Sequence, residues 1–174
     1  MGTFFVAGVY GVGKSTLCEQ LSVDLNIPSF SAGDLISQVN GEQYGANKAV
    51  SDKSENQDIL AVEVQQLLLK HSKILLAGHF CIFNREQEVE YLPKDIFKKL
   101  SITKILLLEA DVEAIIAHLS IRDKRQYTHQ QIFRLQSSEH SAAIKTAQEL
   151  DCNIDIYSMK FDSSDLAYCR NLIR

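Results

Sequence analysis

The sequence predicts an α/β protein with a parallel β-sheet and helices on both of its faces. Apolar runs occur at 4–7, 74–77 and 102–108, and the run at 74–77 is continuous, as in a strand that is buried on both sides of a parallel sheet. Helical patterns separate these runs, which favours strand–helix–strand units. A glycine-rich turn joins the first run to the first helix. The length suits one domain with a sizeable core, so we expect residues 1–174 to form a single domain.

The glycine-rich turn is the most specific motif in the chain. Gly8, Gly13, Lys14 and Ser15 match the pattern G-x-x-x-x-G-K-[ST], in which backbone N–H groups surround phosphates. In this pattern the lysine reaches the β and γ phosphates, and the hydroxyl binds Mg²⁺. A chance glycine turn is the alternative, but the flanking strand and helix are the context that phosphate binding requires. We therefore predict that ATP binds at Gly8, Val9, Tyr10, Gly11, Val12, Gly13, Lys14, Ser15 and Thr16, with Ser15 as the Mg²⁺ ligand.

The first helix is followed by a short strand and a candidate acid. We expect the helix to end near Leu25, ahead of Pro28, and a strand to follow at 29–31. Asp34 comes directly after this strand. It is either a helix N-cap or a functional acid at the carboxyl end of the sheet, where ligands of α/β proteins bind.

The next segment has the least pattern in the chain. Residues 37–57 are polar, contain two glycines and show weak periodicity. We interpret them as a flap on the acceptor side of the site, with an unstructured insertion as the alternative. An amphipathic helix is expected at 58–71.

The strand at 74–77 ends without the acid that its position would lead one to expect. In phosphate-loop enzymes this strand end normally carries a carboxylate that supports Mg²⁺, but Ala77 occupies it here. His79 follows two residues later. It is a candidate for positioning phosphate or water, and a packed strand-end histidine is the alternative.

The second half of the chain predicts a hairpin and further strand–helix units. Cys81–Phe83 and Val89–Leu92 alternate as hairpin strands do, and Pro93 is suited to open a helix. Glu109 ends the strand at 102–108, and we assign it to the turn because Asp111 caps the next helix. Thr128 to Gln131 forms a capping box that starts a long helix. The buried line of that helix is predicted to be Ile132, Gln136, His140, Ala143, Ala147 and Leu150.

Composition narrows the classes of function. A net charge of −4 gives no basic field, which counts against duplex nucleic acid as a partner. The four cysteines are widely spaced without a C-x-x-C pair, as expected for reduced thiols of a cytoplasmic protein. Neither a membrane span nor a signal peptide is indicated.

Taken together, these motifs resemble the nucleoside monophosphate kinases over the whole chain. The sequence is most similar to the short-lid adenylate kinases of archaea and the eukaryotic nucleus. The resemblance rests on Gly8–Ser15, on Gly33-Asp34-Leu35 at the start of the family's acceptor flap, and on Arg122-Asp123-Lys124-Arg125 at its lid. Gly78-His79 also resembles the family's D-x-H element, with Ala77 in place of the aspartate.

The resemblance implies a fold and a reaction. The fold would be the three-layer P-loop NTPase fold, with a five-stranded parallel sheet of order 2-3-1-4-5 and a short lid at 122–127. The reaction would transfer the γ-phosphoryl group of ATP to a nucleotide or similar small acceptor. The catalytic candidates are Lys14, Arg122, Arg125, His79 and Asp34, and the acceptor-binding candidates are Asp34, Arg85 and Arg134. For each arginine a solvated surface role is the alternative.

Two other functions stay open. Ala77 motivates an ATP-binding or slowly hydrolysing regulator that acts through a partner. A kinase that acts on polynucleotide ends is disfavoured by the acidic net charge. A protein partner or a homodimer through the apolar hairpin also stays open, and the sequence does not identify the acceptor.

Overall fold

The computed structural model describes residues 1–40, 53–123 and 125–173. The strands in chain order are β1 (Gly2–Ala7), β2 (Ser29–Ser31), β3 (Lys73–Gly78), β4 (Cys81–Phe83), β5 (Val89–Tyr91), β6 (Ile102–Glu109) and β7 (Asn153–Ser158). The helices are α1 (Lys14–Leu25), α2 (Ala32–Asn40), α3 (Lys53–Lys70), α4 (Lys94–Lys99), α5 (Val112–Asp123), α6 (His129–Leu150) and α7 (Ser163–Ile173).

Five strands form one parallel sheet in the order β2-β3-β1-β6-β7. Counted within this sheet alone, the order is 2-3-1-4-5. The labels of the last two strands differ because β4 and β5 lie between β3 and β6 in the chain, where they form a separate antiparallel hairpin. Helices flank the sheet: α1 packs against α7, while α3 and α6 both contact α4. The predicted α/β class and the predicted hairpin are confirmed.

The three central strands make the core. The apolar runs of β1, β3 and β6 are buried along most of their length, because helices cover the sheet. Phe5 from β1 packs edge-on against Phe80 and Phe97, with ring centroids 5.2 and 5.8 Å apart. Buried Thr3 satisfies its hydroxyl by donating to the carbonyl of Leu100 at 2.7 Å. This packing fixes the strand ends from which the site is built.

Several local predictions are changed by the structure. Asp34 is not a helix N-cap: it lies in the first turn of α2, and its N–H donates to the hydroxyl of Ser31 at 3.4 Å. Pro93 immediately precedes α4 rather than opening it. The helix expected at 58–71 begins earlier, at Lys53. Of the flap predicted at 37–57, residues 41–52 lie outside the described part of the chain.

The capping box and the strand-end assignments are confirmed. Thr128 and Gln131 bond reciprocally at the start of α6. Asp111 caps α5 by accepting the N–H of Glu113 at 3.0 Å. Glu109 ends β6, and its carboxylate pairs with His140 at 2.6 Å.

The buried line of α6 was only partly predicted. Gln136, His140 and Leu150 are half-buried rather than buried, because the helix turns a neighbouring row toward the sheet. That row includes a charged residue, Glu139. The buried residues are Ile132, Leu135, Glu139, Ala143, Thr146 and Ala147. Among the described residues, no helix is both long enough and apolar enough to span a membrane.

Candidate nucleotide site

The phosphate loop runs from the end of β1 to the start of α1 at the carboxyl edge of the sheet. Gly13 precedes α1 with φ of 94°, in the left-handed region that glycine adopts without strain. Gly8 has φ of 151°, and a Cβ there would lie 2.6 Å from the carbonyl oxygen of Leu108. Both positions therefore require glycine, which explains the spacing that the sequence displays.

Lys14 is buried inside this loop, with 9% of its surface exposed. Its ammonium group donates to the carbonyls of Gly8 and Val9 at 2.7 and 2.8 Å. Burial lowers the pKa of Lys14 to about 8, while the carboxylate of Glu139 acts in the opposite direction. The desolvated ammonium group of Lys14 is thus bound by backbone oxygen atoms. Phosphate oxygens are hydrogen-bond acceptors too and could take their place.

The metal-ligand candidate lies on the open side of the loop. Ser15 is exposed in the first turn of α1, so its hydroxyl is accessible to an ion. Ala77 is buried beside Val6 and Ser31 at the end of β3. In the described part of the chain, no three His, Cys, Asp or Glu side chains converge as a metal site. The residues present fit Mg²⁺ held jointly by Ser15 and a bound phosphate.

Glu139 is the acid at this site that the sequence reading missed. It is 1% exposed and comes from α6. Its Oε1 accepts the N–H of Gly8 at 3.2 Å, both oxygens accept the N–H of Phe80 at 2.9 Å, and Oε2 accepts the N–H of Cys81 at 2.7 Å. Burial raises the pKa of Glu139 to about 7, and the three N–H donors and Lys14 limit the rise. A signal existed: an acid seven residues after Ile132, on a helix face that is otherwise apolar.

His79 lies against the same loop. Its Nδ1 is 2.7 Å from the carbonyl oxygen of Gly8, and its ring packs on Tyr10 with centroids 4.5 Å apart. A carbonyl only accepts hydrogen bonds, so Nδ1 must carry a proton. Burial raises the pKa of the Tyr10 phenol, which therefore stays neutral. Thus the structure places His79 at the phosphate loop, and its role in positioning phosphate or water stays a prediction.

The lid arginines are held less tightly. Arg122 forks onto Asp123 with distances of 2.6 and 2.9 Å, and its guanidinium carbon is 6.0 Å from the centre of the Tyr10 ring. Arg125 interacts electrostatically with Asp123 and Tyr127. Arg122 is therefore near the loop, and Arg125 joins the same group of side chains through Asp123 and Tyr127. Lys124 lies outside the described residues.

The acceptor-side candidates are not brought together. Arg85 lies in the turn of the β4–β5 hairpin, Arg134 on the outer face of α6 and Asp34 in α2, and all three are exposed. The described interactions do not connect any of them to the phosphate loop. Their roles as acceptor ligands stay predictions.

A second buried carboxylate organises the opposite side of the loop. Asp165 accepts the phenol O–H of Tyr157 at 2.8 Å and the N–H groups of Lys160 and Phe161 at 2.9 and 2.8 Å. The segment that it folds carries Phe161 to within 3.6 Å of where a Cβ on Gly13 would lie. The sequence reading missed this contribution as well.

The glycine turn and its buried lysine lie at the carboxyl end of the first strand of a 2-3-1-4-5 parallel sheet. This arrangement defines a P-loop NTPase fold. The chain belongs to the AAA_17 family of AAA domains, whose model matches residues 7–136.

Solved structures with the same fold include three small-molecule kinases. A shikimate kinase from Acinetobacter baumannii in complex with shikimate is 15% identical, with a TM-score of 0.60 over 99% of this chain and 90% of that one. A shikimate kinase from Bacteroides thetaiotaomicron is 14% identical, with a TM-score of 0.59 over 99% and 95%. A gluconokinase from Sinorhizobium meliloti 1021 is 11% identical, with a TM-score of 0.54 over 99% and 95%.

At these identities the likeness shows the fold alone, and the adenylate kinase subgroup is not singled out. No curated protein matches the sequence.

Proposed function

We propose that this protein transfers the γ-phosphoryl group of ATP to a small acceptor, in the manner of a nucleoside monophosphate kinase. The observation that carries the proposal is the buried ammonium of Lys14, bound to the carbonyls of its own phosphate loop. A desolvated cation beside the N–H groups of a glycine-rich loop is what the phosphates of a nucleotide require. The kinases that share the fold support a small acceptor over a macromolecular one.

Each residue around the phosphate loop has a proposed role that follows from its position. The loop N–H groups bind phosphate oxygens, and Lys14 exchanges carbonyl partners for phosphate partners. Ser15 is placed to hold Mg²⁺, which when bound neutralises charge on the phosphates. Arg122 and Arg125 supply further positive charge to the transferred group, since a guanidinium forks onto phosphate oxygens. His79 orients the loop through the carbonyl of Gly8.

The acceptor that we favour is a nucleotide. Asp34 lies at the carboxyl end of β2, where ligands bind in sheets of this type, and Arg85 and Arg134 are candidates for its phosphate. A nucleotide acceptor and a cytoplasmic location would agree with the resemblance to adenylate kinases.

The test is acceptor-dependent product formation. Purified protein with ATP and Mg²⁺ is incubated with a panel of nucleoside monophosphates, shikimate, gluconate and a short oligonucleotide, and products are identified by mass spectrometry. We expect ADP and one phosphorylated small acceptor, and a loss of both products by about a hundredfold or more with Lys14→Met. ATP binding without transfer to any acceptor would refute the proposal.

The alternative is a regulator that binds or slowly hydrolyses ATP. Ala77 favours it, because the strand end holds no carboxylate for Mg²⁺. It would be supported by ATP hydrolysis that no acceptor in the panel stimulates.

A further inference from the structure

Gly8 is the point where the phosphate loop is tied to the rest of the protein. Its carbonyl accepts from Lys14 and His79 at 2.7 Å each, and its N–H donates to Glu139. When phosphate oxygens replace the carbonyls as hydrogen-bond partners of Lys14, the Gly8 carbonyl loses one of its two donors. The bond from the Gly8 N–H to Glu139 does not involve Lys14 and is independent of that exchange.

The Glu139 carboxylate connects two separate pieces of backbone. One piece is the first glycine of the phosphate loop, and the other is the N–H pair of Phe80 and Cys81 just beyond β3. In sequence these pieces lie 131, 59 and 58 residues from Glu139, so only the folded chain assembles the bridge. All three partners are N–H donors, and an ionised carboxylate, which accepts at both oxygens and donates at neither, suits all of them.

Helix α6 holds this carboxylate firmly. One turn earlier, the amide of Gln136 bonds both the N–H and the carbonyl of Ala110 at 3.0 and 2.9 Å. The next residue, His140, pairs with Glu109 at the end of β6. Glu139 therefore projects from a helix whose position is fixed against the strand beside β1.

We propose that Glu139 is a positioning residue of the phosphate site: its carboxylate, delivered from α6, aligns Gly8 with the backbone beyond β3 and so sets the loop geometry that binds ATP. It supplies a buried negative charge between the ends of β1 and β3, while Ala77 supplies none. The proposal rests on the phosphate loop being an ATP site, as the proposed function requires, but not on the identity of the acceptor.

Glu139→Gln tests the proposal on the whole protein. The side chain keeps its size, but its NH₂ group must face an N–H donor, so one buried donor loses its partner. We expect the ATP dissociation constant, measured by calorimetry with Mg²⁺ well below the unfolding temperature, to rise about tenfold or more. Glu149→Gln, on the exposed end of the same helix, is the matched control and should bind ATP as the wild type does.

Glu139→Asp covers the case in which the glutamine variant fails to fold. It keeps the charge but withdraws the carboxylate by one methylene, too short to span Gly8 and Cys81 together. A folded aspartate variant should bind ATP more weakly than the wild type and show a raised KM for ATP with an unchanged KM for the acceptor.

Wild-type ATP affinity in a folded Glu139→Gln or Glu139→Asp variant would overturn the proposal, since a merely structural role would change only the unfolding temperature. Failure of the proposed function gives a different pattern. In that case the wild type binds ATP and transfers to nothing, while the affinity differences between variants are still measured.

Discussion

The phosphate loop and the lid differ in what holds their charges. Lys14 is buried and bonded to the loop, and the loop is bonded in turn by Glu139 and His79. Arg122 is 57% exposed in its side chain, and its bonded partner is the next residue in the chain. The phosphate loop is therefore held by side chains from α6 and from the end of β3, whereas Arg122 is hydrogen-bonded within the lid and touches the loop through the ring of Tyr10. Substitutions in the phosphate loop and in the lid should therefore differ in their effects on activity and stability.

The largest effect is expected at the phosphate end. Lys14→Met removes the cation that faces the phosphates, and transfer should fall by about a hundredfold to a thousandfold, or about 3 to 4 kcal/mol. The measurement is the initial rate of ADP formation with acceptor present. Lys98→Met, an exposed lysine of α4, is the control. A loss below threefold would place the chemistry elsewhere.

Stability should also depend on the buried carboxylates. Asp165→Ala leaves the N–H groups of Lys160 and Phe161 and the phenol of Tyr157 without their acceptor, so the free energy of unfolding should drop by about 3 kcal/mol. Urea denaturation followed by circular dichroism measures the change. The comparison is Asp162→Ala, an exposed neighbour that caps α7 by accepting the N–H of Ser164 at 2.8 Å and should cost about 1 kcal/mol. Equal losses in both variants would contradict the role given to Asp165.

The pH dependence of stability should reveal Glu139. Its folded pKa of about 7 lies above its ordinary value of 4.5, so the folded protein holds a proton that the unfolded chain releases between these values. This contribution to stability is complete below pH 4.5 and is lost as pH rises through about 7, amounting to at most about 3 kcal/mol.

The difference in unfolding free energy between wild type and Glu139→Gln, measured without ATP from pH 4.5 to 8.5, isolates this contribution. A difference that is independent of pH would show that Glu139 does not titrate in that window.

Substitutions in the lid are expected to lower activity by a smaller factor and to leave stability nearly unchanged. Arg122→Ala or Arg125→Ala should lower kcat by about 10- to 100-fold and leave the unfolding temperature within about 2 °C of the wild type, since both arginines are exposed. Arg170→Ala, in α7, serves as the control for losing an arginine. Unchanged kcat in both lid variants would remove these residues from the site.

The smallest effect is expected from restoring the absent acid. With Glu139 already placing a carboxylate between β1 and β3, Ala77→Asp should change the transfer rate by less than about threefold. A gain of a hundredfold, about 2.7 kcal/mol, would instead identify the natural protein as a weakened catalyst and favour the regulator.

The contrast between the phosphate loop and the lid also explains which features could be predicted from the sequence. The phosphate loop was predictable because Gly8, Gly13 and Lys14 act through local backbone geometry within one turn of chain. The sheet was predictable because its strands are mostly apolar and alternate with helices along the chain. Lid and acceptor residues were located only by order along the chain, and the structure leaves Arg85, Arg134 and Asp34 apart.

Glu139 and Asp165 could not be assigned in the same way. Their partners are backbone N–H groups, which every residue carries, so no side-chain pattern marks the pairing. Glu139 meets Gly8 across 131 residues, and only the packing of α6 onto the sheet brings them together. The spacing of Glu139 from Ile132 would have indicated that it faces inward, but not what it meets.

The most direct test of phosphoryl transfer follows the γ-phosphoryl group itself. Protein is mixed with [γ-³²P]ATP, Mg²⁺ and each nucleoside monophosphate in turn, and the label is separated between acceptor, inorganic phosphate and remaining ATP in a single turnover. We expect the label on one acceptor, with little in inorganic phosphate, and transfer slowed by about a hundredfold or more in Lys14→Met. Label that appears only in inorganic phosphate, at a rate that no acceptor changes, would contradict the account.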